Sequence, residues 1–122
     1  MANELNINSS IQYDDGDVAD SLDQSDLSVT LTTLKFTKVV QSIGTSDEAI
    51  QLGEVTSPGY IFVKNLDTTN YIELKNAVSG TKFCKVAPGC CAGPFQFSSN
   101  VTAPAAIANT AACKCVFLIA SN

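Results

Sequence analysis

"PGYIFVKNLDTTNYIELKN", Pro58 to Asn76, holds two short runs of β-branched and aromatic residues around a polar centre. Side chains such as Tyr60, Ile61, Phe62 and Val63 pack well on a pleated, half-buried surface, and Tyr71, Ile72 and Leu74 repeat the signal. Pro58-Gly59 punctuates the chain before the first run, and Leu66-Asp67-Thr68-Thr69-Asn70 supplies turn-forming residues between the two. The stretch reads as strand, tight turn at Asn65 to Asn70, and antiparallel partner.

Working outward, the same grammar repeats at short intervals. Downstream, "TKFCKVA" (81–87) and "GPFQFSS" (93–99) read as strands separated by Pro88-Gly89, followed by "APAAIAN" (103–109) and the long apolar strand "AACKCVFLIA" (111–120). Upstream, "EAIQLG" (48–53) reads as a short strand after the turn Gly44 to Asp47, and "EVTSPG" (54–59) as a loop. Leu27, Val29 and Leu31 alternate with Ser28, Thr30 and Thr32, and "LKFTKVVQSIG" (34–44) follows. The alternation changes phase between Leu31 and Leu34, which reads as two strands or one with a bulge. No stretch sustains a helical period over three turns, and turn signals recur about every ten residues. The expected fold is all-β, an antiparallel, jelly-roll-like sandwich of about eight or nine short strands with little or no helix.

The N-terminal portion differs in charge. Residues 1–34 carry seven acids and no lysine, giving −7, whereas residues 35–122 carry seven lysines and five acids, giving +2. Leu5, Ile7, Ser9, Ile11 and Tyr13 occupy alternate positions, the period of a strand. From Asp14 to Asp26 acids surround only Val18 and Leu22, so a loop is expected, with room for one helical turn. An EF-hand needs alternating ligands before its glycine and a Glu at the twelfth position, and this segment has neither. The expected division is an acidic arm over 1–30 and a β-sandwich domain over 31–122.

Composition excludes several function classes. The 122 residues are 45% hydrophobic and 16% charged, which marks a chain that buries a core. A net charge of −5, with no arginine and scattered lysines, argues against nucleic acid and anionic membrane as partners. The opening "MANELNINSS" lacks the basic and apolar regions of a secretory signal, so synthesis in a cytoplasm is expected. The absence of histidine removes the commonest general base and metal ligand. No nucleophile motif or phosphate-cradling glycine loop is present, and an enzyme is not expected.

Five cysteines are the candidate chemistry: Cys84, Cys90, Cys91, Cys113 and Cys115. Cys113 and Cys115 share a strand face, too far apart along the chain to bond easily to each other. The thiols have three readings: free and buried, disulfide-bonded after release from a reducing cytoplasm, or ligands of a zinc ion. The C-x-x-C spacing that commonly presents two thiolates to one metal is missing. No catalytic, cofactor or metal role is assigned, and Phe83 and Phe95, flanking "CKVAPGCCAGP", are expected to anchor that segment in the core.

The order "AIQLGEVTSPGYIFVKNLDTTNYIEL", then a lysine-flanked strand, Pro88-Gly89, "GPFQF" and a final "AAIANTAACKCVFLIASN" resembles small virion structural proteins of tailed bacteriophages. The resemblance covers about residues 30–122, and the cysteines depart from its pattern. It implies a compact jelly roll, assembled as a homotrimer, that sits on the capsid surface as a cement or decoration subunit bound to the major capsid protein lattice. The alternative implied is a tail-associated or fibre-associated module recognising a host surface glycan or protein. No catalytic residue comes with the resemblance.

Overall fold

The computed structural model describes residues 5–31 and 35–121. These divide into two compact units, with the boundary between residues 34 and 35. Strands make up 59% of the described residues, and helix is absent among them.

The first unit is a hairpin. Strands β1 (Leu5–Asp14) and β2 (Ala19–Val29) pair antiparallel, joined by a four-residue tip. The tip forms because the Asp15 carboxylate accepts the N–H groups of Asp17 at 2.9 Å and Val18 at 2.7 Å, while Gly16 supplies a φ of +94°. The expected loop over 14–26 is therefore mostly strand. Asp, Ser and Gln are poor strand formers, yet pairing with β1 overrides that preference.

The second unit is an eight-stranded sandwich. Its strands are β3 (Phe36–Ile43), β4 (Glu48–Ala49), β5 (Pro58–Asn65), β6 (Ile72–Lys75), β7 (Lys82–Val86), β8 (Cys91–Gln96), β9 (Ala105–Ala108) and β10 (Cys113–Ser121). One sheet runs β3-β10-β5-β8 and the other β4-β9-β6-β7, with antiparallel pairing throughout. The pairs β3/β10, β4/β9, β5/β8 and β6/β7 nest one inside the next, which is the connectivity of a jelly roll. The phase change between Leu31 and Leu34 falls on 32–34, outside the described residues.

Alternation decides which side chains reach the core. Ile61, Val63, Phe117, Ile119, Ile43, Cys113 and Cys115 face inward from the first sheet, and Ile72, Leu74, Val86, Ala106 and Ala108 from the second. Burying such side chains supplies the driving force, about 1.5–3 kcal/mol for each large aliphatic or aromatic one.

Two buried amides bridge the layers. Asn65 on β5 donates through Nδ2 to the carbonyls of Asn70 (3.0 Å) and Val86 on β7 (3.1 Å), and its Oδ1 accepts the Asp67 N–H at 2.9 Å. Gln41 on β3 donates to the Ala49 carbonyl on β4 at 3.0 Å and to Glu48, and accepts the Gln51 N–H at 2.9 Å.

The opening stretch needs one correction. β5 and β6 lie in different sheets, so the segment from Asn65 to Asn70 is a crossover and not a hairpin turn. Asp67 organises it, accepting the N–H groups of Thr69 and Asn70. Those bonds, Asn70's first, hold its carboxyl below the usual carboxylate range. The chain from β7 to β8 through Pro88-Gly89 likewise changes sheets. No helix among the described residues is long and apolar enough to cross a membrane.

Candidate functional site

Two faces stand out, one on each unit. On the hairpin, direct cross-strand partners share a face, and the register sets Leu5 opposite Val29, Ile7 opposite Leu27 and Ile11 opposite Leu22. Leu27 and Leu22 are five residues apart, so in an unbroken strand they would point to opposite sides. The register shift between Ile7 and Ser9 restores the phase by giving β2 one extra residue. Asp26 sits in this bulge with a φ of +56°, its N–H held by the Asn8 side chain at 2.8 Å. The result is a largely apolar face, with Ile11 72% and Leu22 75% exposed, interrupted by the Ser9 and Gln24 pair and ended by Asp20 opposite Tyr13. Asn6, Asn8, Ser10, Gln12, Asp14, Ser21 and Asp23 line the other. Six aspartates and no lysine fall within residues 5–31.

On the sandwich, the outer face of the β3-β10-β5-β8 sheet is apolar where solvent-facing strands are usually polar. Register places Phe36, Ala120 and Tyr60 in one row, Lys38, Leu118 and Phe62 in the next, and Val40, Val116 and Lys64 in a third. Phe36 is 66% and Val40 57% exposed, and Phe62 is exposed as well. Lys114, on the same face of β10, is the third lysine of this surface. These paired positions on β3, β10 and β5 include no acid. Among the described residues no carboxylate pairs with Lys38, Lys64 or Lys114.

The cysteines are dispersed. All five are free thiols: Cys113 and Cys115 buried, Cys84 half-buried, Cys90 and Cys91 exposed. The Cys113 thiol approaches the Tyr71 carbonyl at 3.7 Å and the Cys115 thiol the Asn65 Oδ1 at 3.8 Å, both weak contacts. Burial, followed by the neighbouring Cys113 and Asp67, pushes the Cys115 thiol up to about 12, and burial raises those of Cys84 and Cys113 as well. Such thiols are poor nucleophiles and poor metal ligands at neutral pH. Among the described residues no three cysteine, aspartate or glutamate side chains gather as a metal would need.

The aromatic expectation changes. Phe83 is 48% exposed and Phe95 half-buried, so only Phe95 packs against the core. The two rings meet edge to face at 6.2 Å, and Phe95 meets Phe97 at 5.5 Å. Phe97, buried, closes this row and is the anchor that Phe83 is not.

One charged pair is partly buried. The Lys75 ammonium contacts the Asp47 carboxylate, which also accepts the Ser79 N–H at 2.6 Å. These bonds, that from Lys75 foremost, lower the Asp47 carboxyl below its ordinary range. The pair ties the loop after β3 to β6, a structural role. The β1 half of the hairpin face was legible in the alternation of Leu5, Ile7, Ile11 and Tyr13; sequence reading missed the β2 half and the outer sheet face, although Phe36, Lys38, Val40 and Leu118, Val116, Lys114 alternate legibly with core residues. No protein-family model, curated protein or solved structure matches this chain.

Proposed function

We propose that the protein is a non-enzymatic structural subunit of a virus particle, a cement or decoration protein that binds the major capsid lattice of a tailed phage as a homotrimer. The hairpin carries this reading. An isolated two-stranded ribbon is marginal in water, and this one leaves an apolar face open, so it is built to be covered by another surface. The resemblance of residues 30–122 to phage virion proteins supplies the particle. The jelly roll is compatible with it but is shared by capsid proteins, lectins and enzymes, and so carries no function alone.

The alternative, a tail-associated or fibre-associated module for a host glycan, would use exposed aromatics at a loop-rich end. Tyr13, Phe36, Phe62 and Phe83, the large exposed aromatics, all lie within strands. That placement favours packing against a protein surface.

Co-sedimentation of the purified chain with heads and with tails of the particle whose genome encodes it tests the reading. Saturable binding to heads, with increased resistance of those heads to heat or chelator, is expected. Binding to tails alone would transfer the protein to the alternative, and binding to neither would remove the virion role.

A further inference from the structure

We infer that the acidic hairpin of one copy docks, apolar face down, on the lysine-bearing outer face of the β3-β10-β5-β8 sheet of a second copy. The two surfaces match in chemistry. One presents Ile7, Ile11, Leu22 and Leu27 within a segment of six aspartates and no lysine; the other presents Phe36, Val40, Phe62 and Leu118 among Lys38, Lys64 and Lys114. Asp20, opposite Tyr13 on the docking face, meets one of these lysines directly, and the other aspartates add a longer-range attraction that steers the encounter.

They also match in size. At about 3.3 Å per residue the ten-residue β1 is roughly 33 Å long, and the eight-residue β3 and β5 span roughly 26 Å.

The contact is heterologous, since a hairpin meets a sheet face and not another hairpin. Repeated from copy to copy, such a contact makes a ring when its rotation closes and an open filament when it does not, and a ring of three is the trimer of the proposed function. The inference rests on that reading for the number three alone. The pairing of surfaces stands on the charges and exposures. The hairpin's polar face, with Asp14 and Asp23, stays open for a further partner.

Two exposed-position variants of the full chain test it. Ile11→Ser/Leu22→Ser spoils the hairpin face, and Lys38→Glu/Lys64→Glu spoils the sheet face. None of these side chains is in the sandwich core, so circular dichroism should match the parent, and melting should match it at dilutions where the parent too is dissociated. By sedimentation velocity the parent runs as a closed oligomer of the 12.8 kDa chain, and each variant alone dissociates, at least about tenfold more weakly associated.

Mixed one to one, the two variants recover a single good junction and stop at a heterodimer. That arrest is peculiar to a head-to-tail contact. A parent that stays monomeric at 100 µM overturns the proposal, and so do variants that retain the parent's mass or a mixture that yields no heterodimer. A monomer that still coats heads sinks this contact and leaves the cement reading standing. A ring that binds no head does the reverse.

Discussion

At the scale of single residues, Asn65 shows how one side chain joins two layers. An amide has two donors and an acceptor with two lone pairs, and here they meet Asn70, Val86 and Asp67, with the Cys115 thiol nearby. Asn65→Ala removes the side-chain partner of two carbonyls and one N–H, that of Val86 in a buried site and those of Asn70 and Asp67 in part-buried ones. A loss of about 2–4 kcal/mol is expected in urea unfolding, with no new exposed surface in the native state. A loss below about 1 kcal/mol would mean that water takes over the bonds.

The thiols make a second residue-scale prediction. With Ellman's reagent at pH 8, Cys90 and Cys91 should react at once, Cys84 slowly, and Cys113 and Cys115 only on unfolding. The alkaline limb follows from Cys115. Its folded value of about 12 lies above the ordinary thiol range near 8.5, so the native state keeps a proton that the unfolded chain gives up. The associated stability is complete below about pH 8.5 and declines as pH rises toward 12. Cys115→Ala should flatten that decline while costing some packing. An unchanged slope would place the alkaline sensitivity elsewhere.

At the scale of elements, the bulge in β2 accommodates the five-residue spacing of Leu22 and Leu27. Deleting Asp26 removes the extra residue and leaves the two leucines four apart, so an unbroken β2 keeps both on the face of Ile7 and Ile11. The expected outcome is self-association that survives the deletion, in contrast to Ile11→Ser/Leu22→Ser, as read by sedimentation velocity. Lost association would mean that the bulge itself, and not the apolar face, is what binds.

The same bulge explains why β2 was illegible as sequence. Strict alternation fails between Leu22 and Leu27, and the intervening Asp, Gln and Ser residues argue for loop. β5 and β10, by contrast, were plain, because Ile61, Val63, Phe117 and Ile119 alternate with outward residues and need no partner to be recognised. What their spacing left open was sheet membership. A polar linker such as Leu66 to Asn70 serves a hairpin or a crossover equally well, and the choice lies in long-range bonds such as Asn65 to Val86. The outer face of the first sheet was present in the alternation, yet its apolar character matters only once Phe36, Leu118 and Phe62 are seen in adjacent rows.

At the scale of the whole molecule, the nested pairing makes long-range contact the rule. Phe36 pairs with Ala120, and every inner pair closes a shorter loop within that span. The outermost pair is also latched at its end: the Ser121 N–H donates to the Lys35 carbonyl at 2.9 Å, and the Lys35 N–H to the Ser121 hydroxyl at 3.2 Å. The sandwich's own first and last residues are thus neighbours in space. A short peptide could splice Ser121 directly to Lys35, and the chain could be cut instead in the exposed stretch Ser98 to Asn100 between β8 and β9. Such a circular permutant should keep the parent's circular dichroism and melt within a few degrees of it, as read by thermal scanning. The cut would turn this loop into a pair of free ends, a site at which a foreign peptide could be displayed without entering the sheets.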